Sequence, residues 1–190
     1  MVRVRIETRR LVLRTLEDSD VESVLAHRAD PDVCRYTGPP MTREEVVRHI
    51  AERQRSWHGG GNGDVLGLAC ELKESGRVVG EGVLRGFSVP AKQAEVGLGL
   101  QPQHQARELG TEALVALLRY GFEQLGLHRI YAFCDVDNEA SRRLTARLGM
   151  RHEGTLRENA FRHGQWRDEL LISMLDREWE SARPSFERFF

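Results

Sequence analysis

A strand, a helix and a second strand follow one another directly in the middle of this chain, and this succession restricts the possible folds more than any other feature. Strands are predicted for AEVGLGLQ at 94–101 and HRIYAFCDV at 128–136. Between them, from Gly110 to Leu125, apolar residues recur every three or four positions, which predicts an amphipathic helix. Such a unit joins parallel strands by a right-handed crossover, and ligands bind at the strands' carboxyl ends beside the helix N-terminus. We therefore expect a site around HQARELG at 104–110.

The rest of the chain adds helices and antiparallel strands to this unit. The predicted element order is β-αα-βββ-α-β-α-ββ, which is an α+β (mixed α/β) fold. Pro31 is expected to end the first helix, and Thr42 to open the second with a capping box. The further strands are predicted at 9–16, 64–73, 77–87, 151–161 and 166–175, and the further helices at 19–31, 42–57 and 137–149.

Composition places the chain among ordinary globular proteins. Its 190 residues are 40% hydrophobic and 30% charged, so we expect residues 1–190 to form a single domain. A formal net charge of −1 provides no general attraction to polyanions, so we expect neither direct nucleic-acid binding nor membrane binding. MVRVRIETRR at the N-terminus has no apolar core of a signal peptide, and we expect a cytoplasmic protein.

Neither the cysteines nor the histidines indicate a metal site or a disulfide framework. Cys34, Cys70 and Cys134 are far apart and form no C-x-x-C pair, so we expect reduced thiols in the core. The seven histidines show no i, i+4 pair with an acidic partner, so no metal is expected.

One face of strand 94–101 carries almost no side chains. By the alternation of a strand, Val96, Leu98 and Leu100 face one way, while Glu95, Gly97 and Gly99 face the other. Glycine inside a strand often marks the close approach of a ligand or of another backbone. Glu95 is then a polar group in a cleft; alternatively, the glycines only make room for a helix and Glu95 is solvated.

A second candidate lies in DNEAS at 137–141. Asp137 or Asn138 caps the following helix, and Ser141 can share the capping role. Capping alone explains this pattern, so the motif gains functional meaning only in combination with the others.

Taken together, five segments resemble the GNAT acetyltransferase superfamily, in its RimL/RimJ-like ribosomal-protein N-acetyltransferase branch. The resemblance covers about residues 7–177 and leaves 178–190 as a C-terminal tail. The segments are RRLVLRTLEDSD, AEVGLGL, QARELGTEAL, LHRIYAFCDVDNEASRRLTARLGMRHEG and HGQWRDELLISML.

The resemblance implies a strongly bent mixed sheet whose fourth and fifth strands are splayed, with the pantetheine arm of acetyl-CoA between them. It further implies that a loop of backbone N–H groups binds the pyrophosphate, and that Asn138 contacts the pantetheine arm. The cofactor residues that it implies are Leu98, Gly99, Leu100, Gln105, Ala106, Arg107, Glu108, Leu109, Gly110, Thr111, Asn138 and Ser141.

For catalysis, the resemblance implies direct transfer of the acetyl group from acetyl-CoA to an amine. Ser141 is the candidate that protonates the departing thiolate. Glu95 is the candidate base, and the alternative is a structural or substrate-orienting carboxylate. The acceptor that the family suggests is a protein N-terminus. A small-molecule amine, such as an antibiotic or a polyamine, is an alternative.

Glu108 departs from the family pattern, which has glycine there. If the position requires a positive φ, glutamate is strained, and its charge repels a pyrophosphate unless it pairs with Arg107 or turns to solvent. We expect weakened but retained acetyl-CoA binding. The alternative is a catalytically degenerate GNAT-fold module that acts by binding or regulation.

The C-terminal part supplies weaker candidates. HGQW at 163–166 predicts a hairpin turn with Trp166 anchoring the strand, and in relatives this hairpin borders the acceptor site, so Trp166 and Arg167 are candidate substrate contacts. The closing SFERFF could enter a groove, contact a dimer partner or fray, and RimL-like proteins are often homodimers.

Overall fold

The computed structural model describes residues 2–105 and 108–190. In this part of the chain, one bent, eight-stranded mixed sheet has the strand order β1-β2-β3-β4-β5-β6-β8-β7. Every neighbouring pair in the sheet is antiparallel except β5 and β6, which are parallel. The strands are β1 Arg5–Glu7, β2 Leu11–Thr15, β3 Leu66–Leu72, β4 Val78–Ser88, β5 Gln93–Leu100, β6 Arg129–Asp135, β7 Arg151–Arg162 and β8 Gln165–Leu175.

Helices cover both faces of the sheet. The predicted crossover helix is α4, which is buried along most of its length and forms the centre of the main core. A π-helical turn, Tyr120–Gln124, extends α4. Gly126 follows with φ +61°, as expected of the residue that ends a helix. The helices are α1 Val21–Arg28, α2 Pro31–Thr37, α3 Arg43–Arg55, α4 Leu109–Arg119, α5 Glu139–Arg147 and α6 Asp176–Ala182.

The N-terminal helices pack on the opposite face of the sheet from α4. A second apolar cluster joins α1 and α3 to the sheet, and it includes Val24, Val46, Ile50 and Ala69. The predicted capping box of α3 is confirmed. The Thr42 hydroxyl accepts from the Glu45 N–H at 3.3 Å, while the Glu45 carboxylate accepts from the Thr42 N–H at 2.8 Å.

Two elements of the N-terminal half were not predicted. The first helix ends before Pro31, as expected, but Pro31 is also the first residue of a further helix, α2, where its missing N–H costs nothing. Asp30 caps that helix, and its carboxylate accepts from the N–H groups of Asp32 and Val33. Strand β1 was not expected, so the predicted fourth and fifth strands are β5 and β6 of the structure.

The C-terminal tail packs on the core. Helix α6 is followed by a 3-10 segment, Arg183–Phe189, and Trp179, Phe186 and Phe189 are buried in the main cluster. The Arg9 N–H donates to the Phe189 carbonyl at 2.6 Å. Of the alternatives for SFERFF, fraying is therefore wrong, and the segment packs on its own chain. No helix in the described ranges is long and apolar enough to cross a membrane.

Candidate active site

The parallel strands β5 and β6 separate soon after they begin. Their register pairs only Gln93 with Arg129, Ala94 with Ile130 and Glu95 with Tyr131. Beyond Glu95 the two strands diverge, which is the splay that the resemblance implied. The resulting cleft has a volume of about 450 Å³ and reaches from α1 and α3 across β4 and β5 to β6 and α5.

The face of β5 that carries Glu95, Gly97 and Gly99, here called the bare face, forms part of the cleft, as predicted. Glu95, Gly97, Leu98 and Gly99 all line it. A Cβ atom built on Gly99 would lie 2.9 Å from His27 Nε2, so the glycine also makes room for α1. The alternative interpretation, that the glycines make room for a helix, therefore holds at Gly99. The close approach of a ligand to this face stays a prediction.

Glu95 is not a solvated carboxylate. Its side chain is 15% exposed and accepts a hydrogen bond of 2.5 Å from Arg85 on β4. The two residues face each other in the antiparallel register. The guanidinium competes for the carboxylate oxygens that a substrate amine or a bridging water would use.

A buried polar cluster beside Gly99 was not predicted from the sequence. Glu81 on β4 pairs with Gly99 in the register and is 8% exposed. Its carboxylate accepts from Arg28 Nε at 2.6 Å and lies 2.7 Å from His49 Nε2. Burial alone would raise the pKa of Glu81, but the His49 and Arg28 contacts outweigh it and lower the pKa to about 2. Glu81 is therefore a fixed negative charge.

His27 lies next to this cluster, and burial affects its charge differently from that of Glu81. It is 2% exposed, and its Nδ1 has no hydrogen-bond partner in the described part of the chain. Burial lowers its pKa to about 4, against the attraction of Glu81. His27 is therefore neutral at pH 7.

Asn138 and Ser141 lie at the other wall of the cleft. The Asn138 side-chain oxygen accepts from the Ser141 N–H at 3.0 Å and so caps α5. Ser141 also contacts the Cys134 thiol, whose pKa burial raises despite that contact. The capping interpretation is confirmed for Asn138, and both Asn138 and Ser141 line the cleft.

The described part of the segment before α4 is held against the end of β5. Gln105 Nε2 donates to the Leu100 carbonyl at 2.9 Å, which ties the loop to β5. Leu109, Gly110 and Thr111 form the first turn of α4. Ala106 and Arg107, which were also predicted to bind the cofactor, lie outside the described residues.

Glu108 has φ +58°, in the left-handed region that favours glycine. The strain foreseen for glutamate is therefore present. The expected pairing with Arg107 lies outside the described residues. The Glu108 carboxylate accepts from Arg188 Nη2 at 3.1 Å, so the C-terminal tail supplies a cation that was not predicted. The departure from the family pattern is thus balanced by a residue 80 positions away.

The start of α4 is anchored by Glu112. This carboxylate is fully buried and accepts from the Thr8 hydroxyl and the Arg10 N–H, both at 2.6 Å, and from Arg10 Nε at 2.7 Å. These contacts hold the first turn of α4 against the segment that leads into β2.

The two candidate substrate contacts lie at the start of β8, beside the hairpin turn from β7. Trp166 is 61% exposed and packs edge-on against Phe161, so it does not anchor the strand as expected. Arg167 donates to Asp135 at 2.9 Å and also pairs with Asp137. Asp135 lines the cleft, whereas Arg167 is not among the residues that line it. Arg167 therefore acts on the cleft by holding the Asp135 carboxylate in place.

A family model described as an acetyltransferase (GNAT) domain matches residues 10–151. This chain belongs to the GNAT acetyltransferase family. In the GNAT chain, the matched region contains the splay, the loop before α4 and the Asn138–Ser141 wall. Within the described ranges, no group of three or more His, Cys, Asp or Glu side chains could hold a metal ion.

Relatives of known sequence agree with this assignment. The chain is 28% identical over 176 residues to the uncharacterized N-acetyltransferase YnaD of Bacillus subtilis, covering 93% of this chain and 99% of YnaD. It is 28% identical over 188 residues to the [ribosomal protein uS5]-alanine N-acetyltransferase of Escherichia coli, covering 95% of each.

Solved GNAT structures have the same fold. An acetyltransferase of this family from Bacillus anthracis matches with a TM-score of 0.80 at 27% identity, over 92% of this chain and 100% of the other. A spermidine N-acetyltransferase from Vibrio cholerae, solved with CoA and spermine, matches with a TM-score of 0.79 at 21% identity, over 90% and 98% of the two chains.

Proposed function

We propose that the protein is an acetyl-CoA-dependent N-acetyltransferase that moves the acetyl group directly to a protein N-terminal α-amine. The observation that carries this proposal is the splay of β5 and β6, which opens a cleft lined by Leu114 of α4 and by Asn138 and Ser141 of the opposite wall. The relative that acts on the alanine of a ribosomal protein supports the choice of acceptor.

The described residues fit acetyl-CoA. Beyond Glu95, the edge of β5 has no ladder to β6, so its backbone groups are available to an extended pantetheine arm. This edge leads to the first turn of α4, whose N–H groups favour a pyrophosphate. When bound, acetyl-CoA supplies the thioester whose acetyl group is transferred.

Different groups in the cleft would stabilise the oxyanion, protonate the leaving sulfur and accept the proton of the amine. Backbone N–H groups of β5 stabilise the negative charge that develops on the carbonyl oxygen. The Ser141 hydroxyl gives a proton to the departing sulfur. Glu95 receives the proton of the amine through water. An α-amine with a pKa of about 8 is already partly neutral at pH 7, so a weak base suffices.

Acetyl-CoA binding is the first test of the proposal. A ligand at a hundred times its Kd adds about 2.7 kcal/mol to the free energy of unfolding. This corresponds to several degrees in Tm, at roughly 2–4 °C per kcal/mol for a chain of this size. We expect such a shift with acetyl-CoA and CoA, and acetylation of N-terminal peptides by mass spectrometry. No shift and no calorimetric heat would instead support a non-catalytic module.

The roles of Glu95 and Ser141 predict different kinetic defects. We expect Glu95→Gln to lower kcat most at low pH, where fewer amines are neutral, and Ser141→Ala to lower kcat across the pH range. General acid or base catalysis typically contributes about 10²–10⁴-fold. The Glu95 variant should bind CoA as the wild type does. Unchanged turnover of Glu95→Gln at every pH would remove it as the base.

A further inference from the structure

One arginine that lines the cleft has no hydrogen-bonded or ion-paired carboxylate among the described residues. Arg53 of α3 lines the cleft, and its stem lies on β3, where a Cβ atom on Gly67 would come within 2.8 Å of Arg53 Cδ. In the described ranges, no hydrogen bond or ion pair joins its guanidinium to another side chain. Burial lowers the pKa of Arg53, and the charges of Arg28 and Arg85 add to this effect, while Glu81 and Glu52 oppose it.

The carboxylates of the cleft are already committed to other arginines. Each of the four that line it in the described part of the chain accepts a hydrogen bond from a guanidinium. The pairs are Arg28 with Glu81 at 2.6 Å, Arg85 with Glu95 at 2.5 Å, Arg162 with Glu169 at 2.5 Å and Arg167 with Asp135 at 2.9 Å. An incoming polyamine would therefore have to displace an arginine, whereas an incoming carboxylate finds Arg53 uncommitted.

The register places Arg53 within reach of the reaction. Gly67 of β3 pairs with Val83 of β4, which pairs with Gly97 of β5 where the splay begins. Neighbouring strands lie about 4.8 Å apart, so Gly67 is roughly 10 Å from Gly97. One residue of extended peptide covers about 3.3–3.6 Å. The acidic side chain of the next residue covers much of the distance that is left between Gly97 and Gly67.

We propose that Arg53 binds a carboxylate on the acceptor, and that the acceptor is an amine that carries an acidic group a few atoms away. This inference rests on the proposed function and specifies its substrate class. For a protein N-terminus, the acidic group is an aspartate or glutamate side chain near the terminal residue. A free amino acid offers the same chemistry through its own carboxylate. A polyamine is disfavoured.

Steady-state acetylation of matched peptides tests this inference. Two peptides that begin Ala-Glu and Ala-Gln differ only in the charge beside the amine, and free glutamate and spermidine complete the set. We expect the wild type to show about tenfold higher kcat/KM with the Glu peptide, as for one charge-assisted contact. Arg53→Gln should reduce this ratio to about one, and Arg53→Lys should retain part of it.

Arg55→Gln is the matched control, because Arg55 is exposed on the same helix. It should keep the full preference, and the KM for acetyl-CoA should not change in any variant. Faster turnover of free glutamate than of the peptide would identify the small-molecule source of the same carboxylate. A preference for the Gln peptide or spermidine, or a preference that survives in Arg53→Gln, would overturn the inference.

Failure of the proposed function is distinguishable from failure of the inference. If no amine is acetylated, the proposed activity is wrong. Arg53 is then tested by calorimetric titration of the Glu and Gln peptides into the wild type and Arg53→Gln. Tighter binding of the Glu peptide that depends on Arg53 would support the carboxylate site, and equal binding of the two peptides would exclude it.

Discussion

His27 links the cleft to the pH dependence of stability. Its pKa is about 4 in the folded protein and about 6.5 when unfolded, because burial disfavours the imidazolium. Between these values the unfolded state binds the additional proton. The contribution of His27 to the free energy of unfolding is therefore complete above pH 6.5. It is lost as the pH falls toward 4, and the free energy of unfolding decreases by up to about 3 kcal/mol.

Urea unfolding at about pH 7, 5.5 and 4.5, which spans the window between the two pKa values, measures this effect. The titratable and charged groups that face His27 are Glu81, Arg28, Asp30 and His49, and the low pKa of Glu81, about 2, keeps that carboxylate ionised throughout the window. We expect His27→Gln to flatten the pH dependence, and His152→Gln, at an exposed position, to leave it as in the wild type. If the free energy of unfolding of His27→Gln varied with pH as it does in the wild type, a group other than His27 would be responsible.

The loop before α4 and the C-terminal tail act together at the scale of elements. Glu108 brings strain and negative charge to the expected pyrophosphate site, and Arg188 offsets the charge. We expect Glu108→Gly to tighten acetyl-CoA binding, because glycine adopts positive φ without cost. Arg188→Gln should weaken binding roughly twofold to fivefold, the range typical of an exposed ion pair.

A double-mutant cycle measured by calorimetry separates these two effects. In the Glu108→Gly background, loss of Arg188 should cost less, since no carboxylate remains to be neutralised. Arg183→Gln is the control, because Arg183 pairs with Glu123 instead. Equal affinity of Glu108→Gly and wild type would show that the loop has already accommodated glutamate.

The elements differ in how well the sequence predicts them. The β5-α4-β6 unit was predictable because its periodicity is local and its apolar residues are continuous. Helix α2 was missed because Pro31 occurs both after and at the start of helices. Strand β1 has only three residues, too few for alternation to be recognised.

In the site, too, residues close together in the sequence were predictable, and contacts between distant residues were not. Asn138 and Ser141 form a local motif, and the structure places both on the cleft wall. The cluster of Glu81 with Arg28 and His49 joins residues that are 53 and 32 positions apart, and only the packing of α1 and α3 on the sheet brings them together. No pattern in the sequence indicates such a pairing.

At the scale of the whole molecule, the sheet has two parts that meet at a short ladder. Strands β1 to β5 lie on one side and β6, β8 and β7 on the other, and three residue pairs connect β5 to β6. A ligand between the diverging strands would add interactions that the ladder itself does not provide. We therefore expect acetyl-CoA to stabilise the centre of the sheet more than its edges.

Hydrogen exchange with and without CoA tests this expectation. Peptides that cover 96–105 and 108–114 should exchange more slowly with CoA, because backbone N–H groups of β5 and of the first turn of α4 gain partners. Strands β1 and β2 are the internal control, since β3 and β4 separate them from β5 in the sheet order and they should exchange as before. Uniform protection of all peptides would indicate general stabilisation by mass action without specific contacts at the splay. Protection confined to the hairpin of β7 and β8 would place the ligand elsewhere and contradict the assignment of the cleft.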